Sequence, residues 1–375
     1  MTTLEDEAMH KRMILIIAAV LMILAAFGPG CGRSFSNPAD SEDDMIKSGN
    51  YSNGRFSNFE PTNVMKPGTV WNTSYQYMFG GHDDRTPPHP LPLALENQFA
   101  SMPPSTGLRF IWLGHSSVYV ELGGRRILID PMLSERASFL SWAGPKRFQP
   151  AAHQARDLPH IDAVLISHDH YDHLDKATIV ALAGKTATFH VPLKVGAILE
   201  TWGIPKAKIR EYAWWDEYGT EGMMIAATPA RHFSGRGLFD RNKTLWCSWV
   251  VSCEGRKVFH SGDTGMTSQL HEIGEKYGPF DLAFIKIAAY HENWPDIHLT
   301  PEQALEACRD VGCKALVPIH WGTFDMALHS WYEPIERLVK SAQTEKTRTI
   351  TPMMGELVDP DRYENGFWWR EPHVK

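Results

Sequence analysis

The chain has 375 residues, 43% of them hydrophobic, which is enough for a sizeable buried core. Its net charge of -7 gives no basic excess, so composition speaks against a nucleic-acid binder. The five cysteines (Cys31, Cys247, Cys253, Cys308, Cys313) are odd in number and contain no CxxC pair, so they do not form a disulfide framework.

Lys11 and Arg12 precede a charge-free run from Met13 to Gly30, followed by Cys31. This order reads as a secretory signal or a short membrane anchor over residues 1–31. The strongly apolar part, Met13 to Phe27, is shorter than the roughly 20 residues a spanning helix needs. Gly30-Cys31 suggests a bacterial lipoprotein cleavage site, although Gly28 and Pro29 depart from that pattern. The alternative is a buried N-terminal helix. The expected location is membrane-associated or exported, such as a lipoprotein or an anchored periplasmic protein.

Residues 32–107 are rich in Asn, Pro and Gly and read as a linker and a wrapping arm. One helix is expected around Trp71 to Phe79. The arm's aromatics (Phe56, Phe59, Trp71, Tyr75, Tyr77, Phe79) are expected to pack on the core.

A catalytic unit is expected over 108–345. Leu108–Leu113, Ser117–Leu122 and Arg126–Ile129 are strand-like, with a Gly123-Gly124 turn between the last two. Asp130 either anchors a loop or is a turn residue. Leu133 to Arg147 mixes Phe139, Leu140 and Trp142 with Arg136, Lys146 and Arg147. An apolar lip bordered by positive charge suits an anionic lipid headgroup. An ordinary packed loop with a solvated rim explains the same residues.

The densest chemistry lies in Ile161 to Asp175, IDAVLISHDHYDHLD. An apolar run of strand length delivers His168, Asp169, His170, Asp172 and His173 onto the following loop. Strand ends are where α/β proteins place their sites. Imidazole and carboxylate together suit zinc, and less well iron or manganese. There are more candidate ligands than one tetrahedral ion can use, and no cysteine among them. The pattern predicts a two-metal catalytic centre.

Further strand-like runs end at His232, at Asp263 within His260-Ser-Gly-Asp-Thr264, and at His320. The small residues around Asp263 let its carboxylate approach two ions and bridge them. The loop after Ile287 carries Tyr290 and His298. Thr300-Pro301-Glu302-Gln303 is a helix start with a capping box. Cys308 and Cys313 are expected as buried small apolar residues. Residues 346–375 form a tail expected to pack on the domain.

The cluster resembles the signature of the metallo-β-lactamase superfamily. Further phrases, GPKRF, WWDE, FDRNKTLWCSWVV, FHSGDTG, GPFDLAFIKIAAY and IHWGTF, resemble N-acylphosphatidylethanolamine phospholipase D and its bacterial relatives. The resemblance spans roughly Leu108 to Leu338 and implies a four-layer αβ/βα sandwich. It implies two divalent ions, most readily Zn2+, with His168, His170 and His232 on one. Asp172, His173 and His320 hold the other, and Asp263 bridges. Asp172, Asp263 and His298 are the implied catalytic residues. The candidate substrate contacts are His115, Arg136, Trp142, Lys146, Arg147 and Tyr290. The expected activity is attack of a metal-bridging hydroxide on a phospholipid phosphodiester at a membrane surface. A hydrolase of soluble phosphodiesters or lactones on the same fold is the alternative. A homodimer is expected from the resemblance alone, and no nucleic-acid partner.

Overall fold

Alternating side chains along the first long strands explain why one sheet separates two cores. In the computed structural model, Phe110 and Trp112 face one cluster of buried residues, while Ile111 and Leu113 face another. Val118 and Val120, then Ile127 and Ile129, continue the first face, and Tyr119 and Leu128 continue the second. Both faces are covered, so these strands read as continuous apolar runs rather than half-polar ones.

The structure describes residues 49–80, 84–96, 103–220 and 222–370. The anchor or signal expected at 1–31 lies outside them. Among the described residues, no helix is long and apolar enough to cross a membrane.

The chain opens with a small hairpin, β1 (Tyr51–Ser52) and β2 (Arg55–Phe56), and the helix α1 (Val70–Phe79). The first half then runs β3 (Leu108–Gly114), β4 (Ser117–Leu122), β5 (Arg125–Ile129), β6 (Ile161–Leu165), α2 (Lys176–Leu182), β7 (Thr186–Pro192), α3 (Val195–Thr201) and β8 (Ile209–Tyr212). The second half runs β9 (Glu217–Thr220), β10 (Met223–Thr228), β11 (Ser248–Cys253), β12 (Arg256–His260), α4 (Gln269–Tyr277), β13 (Leu282–Lys286), α5 (Pro301–Val311), β14 (Leu316–Ile319) and α6 (Glu333–Glu345). A last short strand, β15 (Leu357–Val358), returns to pair with β3.

These strands form two mixed sheets. One has the order β15-β3-β4-β5-β6-β7-β8 and the other β14-β13-β12-β11-β10-β9. In each, hairpins come first and parallel crossovers follow. Thus β4 and β5 are antiparallel while β5-β6-β7-β8 are parallel. Likewise β10-β11-β12 are antiparallel while β12-β13-β14 are parallel. The inner faces meet, as the rings of Phe110 and Phe284 do edge to face at 5.1 Å. Outside the first sheet, Ile179, Leu182, Val195 and Leu199 of α2 and α3 close the second cluster. Helices α4, α5 and α6 bring Leu270, Ile273, Leu305 and Leu338 to the other flank. The expected αβ/βα sandwich is therefore the fold.

Helix α5 starts on the expected capping box, with Thr300 Oγ1 accepting from Gln303 N and Pro301 at the first position. It ends at Gly312 in the left-handed region. That reversal brings Cys308 and Cys313 to a Cα separation of 5.2 Å, and they form a disulfide. Cys308 is buried, as expected of a small apolar residue, but the expectation is corrected at Cys313, which is only partly buried, and by the bond that joins the two. The pairing depends on where the helix stops, which spacing alone does not show.

The arm also departs from expectation. Phe56 is buried, but Phe59, Trp71, Tyr75 and Phe79 are exposed. Helix α1 docks through Thr73, whose hydroxyl accepts from Asn293 Nδ2, and through Tyr77, whose hydroxyl donates to Asp325 O. Its aromatic stripe faces away from those anchors.

Candidate metal centre

The C-terminal ends of the parallel strands meet at one edge of the sandwich. From the first sheet come His115 after β3, Asp130 after β5, and His168 to His173 after β6. From the second come His232 after β10, Asp263 after β12, and His320 after β14. Three non-glycine residues here have left-handed backbones: His115 (φ 52), Asp130 (φ 44) and His320 (φ 66). Such conformations are uncommon and concentrate where surrounding structure imposes them. One cause is visible: His320 N donates to His115 O, tying the two sheets together at the site.

His168 Nε2 lies 2.9 Å from His170 Nδ1, which is 3.3 Å from His232 Nε2. These three nitrogens form one candidate ligand group. His115, Asp172, His173 and His320 form a second. Asp263 stands between them. Its Oδ1 is 3.4 Å from His173 Nε2, and its Oδ2 is 3.1 Å from His320 Nε2 and 3.8 Å from His232 Nε2. His298 joins this edge, with Nδ1 3.8 Å from Asp263 Oδ2. Its side chain is 13% exposed against 3% for Asp263, so it stands on the open side.

Several buried atoms in this cluster have no hydrogen-bond partner: His173 Nε2, His320 Nε2, Asp263 Oδ1 and His298 Nδ1. Stranded buried polar atoms are costly and rare. Nitrogen lone pairs and carboxylate oxygens stranded together fit bound divalent cations, and the donor set fits two of them.

The ligands are aimed by a second layer of hydrogen bonds. His173 Nδ1 donates to Asp130 Oδ2 at 2.8 Å, leaving Nε2 for the centre. Ser167 donates to the same carboxylate twice, from N and from Oγ, both at 2.6 Å. Ser167 Oγ also meets His168 Nδ1 at 2.9 Å. His232 Nδ1 faces Ile297 O. Asp169 is no ligand: its carboxylate accepts from Gly235 N and Thr244 Oγ1, holding the loop after His232 against the cluster. Such outer partners fix tautomer and ring orientation.

Gly262 permits the close approach of Asp263. It has φ +54, and a Cβ there would lie 2.7 Å from Ser167 Cβ and 2.9 Å from Cys247 O. Below Trp321, Trp112 and Trp368 stack at 5.4 Å each, so the C-terminal tail braces the residue that follows His320.

Charge follows from this packing. Burial drives His168 and His232 well below the ordinary imidazole range, and neighbouring imidazoles add to it. His173 goes the other way: burial opposes its charge, but Asp263, Asp172 and Asp130 outweigh it. Burial would raise Asp172 and Asp263, yet the surrounding imidazoles, joined at Asp263 by Lys286, hold both well below the usual carboxylate range.

Lys286 is the residue that sequence reasoning missed. It ends β13 fully buried, with Nζ 3.3 Å from Asp263 Oδ2 and no aligned hydrogen bond. Burial lowers it to about 8, with Asp263 opposing.

The proposed substrate contacts separate. His115 is inside the centre, with Nε2 2.9 Å from Asp172 Oδ2. Trp142 and Phe139 are exposed on the 133–147 loop. Arg136 donates to Gly144 O, and exposed Lys146 pairs with Glu135 at 2.9 Å. Arg147 is corrected from headgroup ligand to structural pin. It is buried, donates to Ser134 O and Met132 O, and lies over Phe324. Tyr290 sits apart from the metal edge. Its hydroxyl donates to Glu333 Oε1, and with Gln76, His291, Leu328 and His329 it lines a cavity of about 550 Å³. His329 also borders a narrow pocket that reaches His115 and His320.

Comparison with known proteins agrees with this geometry. A family model described as a β-lactamase superfamily domain matches residues 125–321. An uncharacterised protein of Mycobacterium tuberculosis is 42% identical over 86% of this chain and 88% of its own length. N-acyl-phosphatidylethanolamine-hydrolyzing phospholipase D 1 of Caenorhabditis elegans is 37% identical over 67% of this chain and 76% of its own. The solved structure of Igni18, a metallo hydrolase of Ignicoccus hospitalis, shares the fold. Its TM-score is 0.53 at 24% identity, covering 67% of this chain and 97% of that one.

Proposed function

The chain belongs to the metallo-β-lactamase superfamily, and from that premise we propose that it is a phospholipase D-type phosphodiesterase releasing an N-acylethanolamine or related headgroup. The observation that carries the reading is the 37% identity to an N-acyl-phosphatidylethanolamine-hydrolysing enzyme, across 76% of that enzyme's length. The surface supports a lipid substrate. Trp71 and Phe139 are 73% and 63% exposed, and Tyr75, Phe79, Trp142 and Phe239 add further exposed apolar area. Phe139 and Tyr171 lie 5.9 Å apart, which puts the 133–147 loop beside the loop of the metal cluster. Aromatic side chains of this kind suit a membrane interface.

His168, His170 and His232 would hold one divalent ion, and Asp172, His173 and His320 the other, with Asp263 shared. When bound, a zinc pair supplies an acidified water and an electrophile for a phosphate oxygen. The protein residues do the rest. Asp172, fixed by His115, orients the attacking water along the line to phosphorus. His298, on the open side, would help place a proton on the departing oxygen. The water oxygen ends on phosphorus, the bond from phosphorus to the alcohol oxygen breaks, and the water proton ends on the alcohol. The products are phosphatidic acid and the free alcohol. The cavity beside Tyr290 would accommodate part of the substrate away from the candidate ligands.

Product analysis tests this. Zinc-loaded protein is incubated with vesicles containing N-acyl-phosphatidylethanolamine, and in parallel with soluble phosphodiesters and lactones. The expected result is release of N-acylethanolamine, abolished in Asp263→Ala with vesicle binding intact. Turnover of a soluble ester with none of any phospholipid would overturn the lipid reading and favour the soluble-substrate alternative.

A further inference from the structure

Lys286 occupies a position that the metal-centre description leaves unexplained. The parallel register sets Lys286 beside Ile319, the residue before His320. The same strand pairs Phe284 with His260, three residues before Asp263. Lys286 therefore projects between the loop that carries Asp263 and the loop that carries His320. Its side chain is fully buried, and its Nζ is 3.3 Å from Asp263 Oδ2. That same oxygen lies 3.1 Å from His320 Nε2. Asp172 and His232 also feel its charge.

A buried ammonium without aligned hydrogen bonds is expensive to keep. An apolar residue of the same length would avoid that desolvation cost but would leave the buried Asp263 carboxylate without its cation. The two carboxylates of the cradle explain what it interacts with, but two divalent cations would be repelled by it. We infer that Lys286 is a positioning residue that competes with bound metal for Asp263 Oδ2. It neutralises the cradle while it is empty, and it withholds carboxylate charge from the ions once they bind. With less charge reaching them from Asp263, bound ions would draw more from the substrate phosphate. The residue thus trades metal affinity for electrophilic strength.

This rests on the metal-centre reading and not on the lipid one. The test is zinc affinity by competition with a chromophoric chelator, together with apo and zinc-loaded melting temperatures. Lys286→Met is expected to bind its weaker zinc about tenfold or more tightly than wild type, because a positive charge beside the ions is gone. Its apo form is expected to melt lower, so zinc raises its melting temperature by more than in wild type. Lys286→Arg keeps the charge and should keep wild-type zinc affinity. Lys286→Gln keeps a donor without the charge and should show the same tightening as Met, which covers the case where Met does not fold. Unchanged or weaker zinc binding in both Met and Gln variants would overturn the inference while leaving the metal centre standing. Wild-type protein that binds no zinc would overturn both.

Discussion

Replacing Asp130 by Asn isolates what the outer hydrogen bonds do for the metal ligands. Asp130 is fully buried and receives three donors: Ser167 N on Oδ1, and Ser167 Oγ and His173 Nδ1 on Oδ2. Its backbone is left-handed at φ 44, which Asn tolerates as well as Asp does. The substitution therefore changes charge and donor pattern without adding backbone strain. An amide turns one acceptor oxygen into an NH2 group. In either orientation that group meets at least one N–H or O–H donor head on. Losing a charge-assisted hydrogen bond of this kind costs about 1.5–3 kcal/mol. Loss of such a partner typically weakens metal binding by about 10–100-fold. The two ranges agree. Zinc competition against a chromophoric chelator should show that loss in Asp130→Asn, on the ion that His173 would hold. A variant with wild-type affinity for both ions would refute the claim that Asp130 orients His173.

Two further perturbations follow from the packing. Gly262→Ala places a methyl against Ser167 and Cys247 at a positive φ, and that backbone alone costs about 1–2 kcal/mol; the melting temperature and zinc stoichiometry should both fall. His190 is buried against Tyr212, and burial followed by Arg210 lowers it to about 3. Its folded value lies below the unfolded one near 6.5, so the unfolded chain binds the extra proton and stability is lost as pH falls below that value. At pH 5 the loss is about 2 kcal/mol, and denaturant titrations of His190→Gln should lack that part of the slope between pH 6.5 and 5.

Much of this molecule is legible in its sequence because the strands announce themselves as apolar runs. The runs over β6, β10, β12 and β14 are each followed within a few residues by a candidate ligand, so the order of ligands along the chain is readable too. The role of Asp130 stays open in the sequence because its partners, Ser167 and His173, lie on the loop after β6, and only the parallel pairing of β5 with β6 makes them neighbours. Lys286 escapes a reading of the sequence because a lysine at the end of an apolar run reads as one reaching for solvent. Only the register of β12, β13 and β14 turns it inward between two ligand loops. Lys146 and Arg147 look alike in sequence and have opposite fates. The first faces solvent beside Glu135, and the second turns inward to carbonyls of its own loop. The disulfide and the exposed arm aromatics depend on a helix end and on docking partners, neither of which composition encodes.

The site is a seam, and that has a consequence for how its parts depend on one another. His168, His170, Asp172 and His173 belong to the first sheet, and His232, Asp263 and His320 to the second. Neither candidate ligand group is complete on one sheet: His232 completes the first, and His320 completes the second. Bound ions would therefore crosslink the two halves, and any change in sheet-to-sheet packing moves ligands relative to one another. The protein already holds that distance by other means. His320 N reaches His115 O across the seam, Gly262 lets the second sheet's loop touch Ser167, and Trp368 of the tail and Trp112 of the first sheet both pack on Trp321. The features that look peripheral in sequence, a glycine and a C-terminal tryptophan, act on the same coordinate as the ligands. That coordinate is the separation of the two sheets at their C-terminal edge.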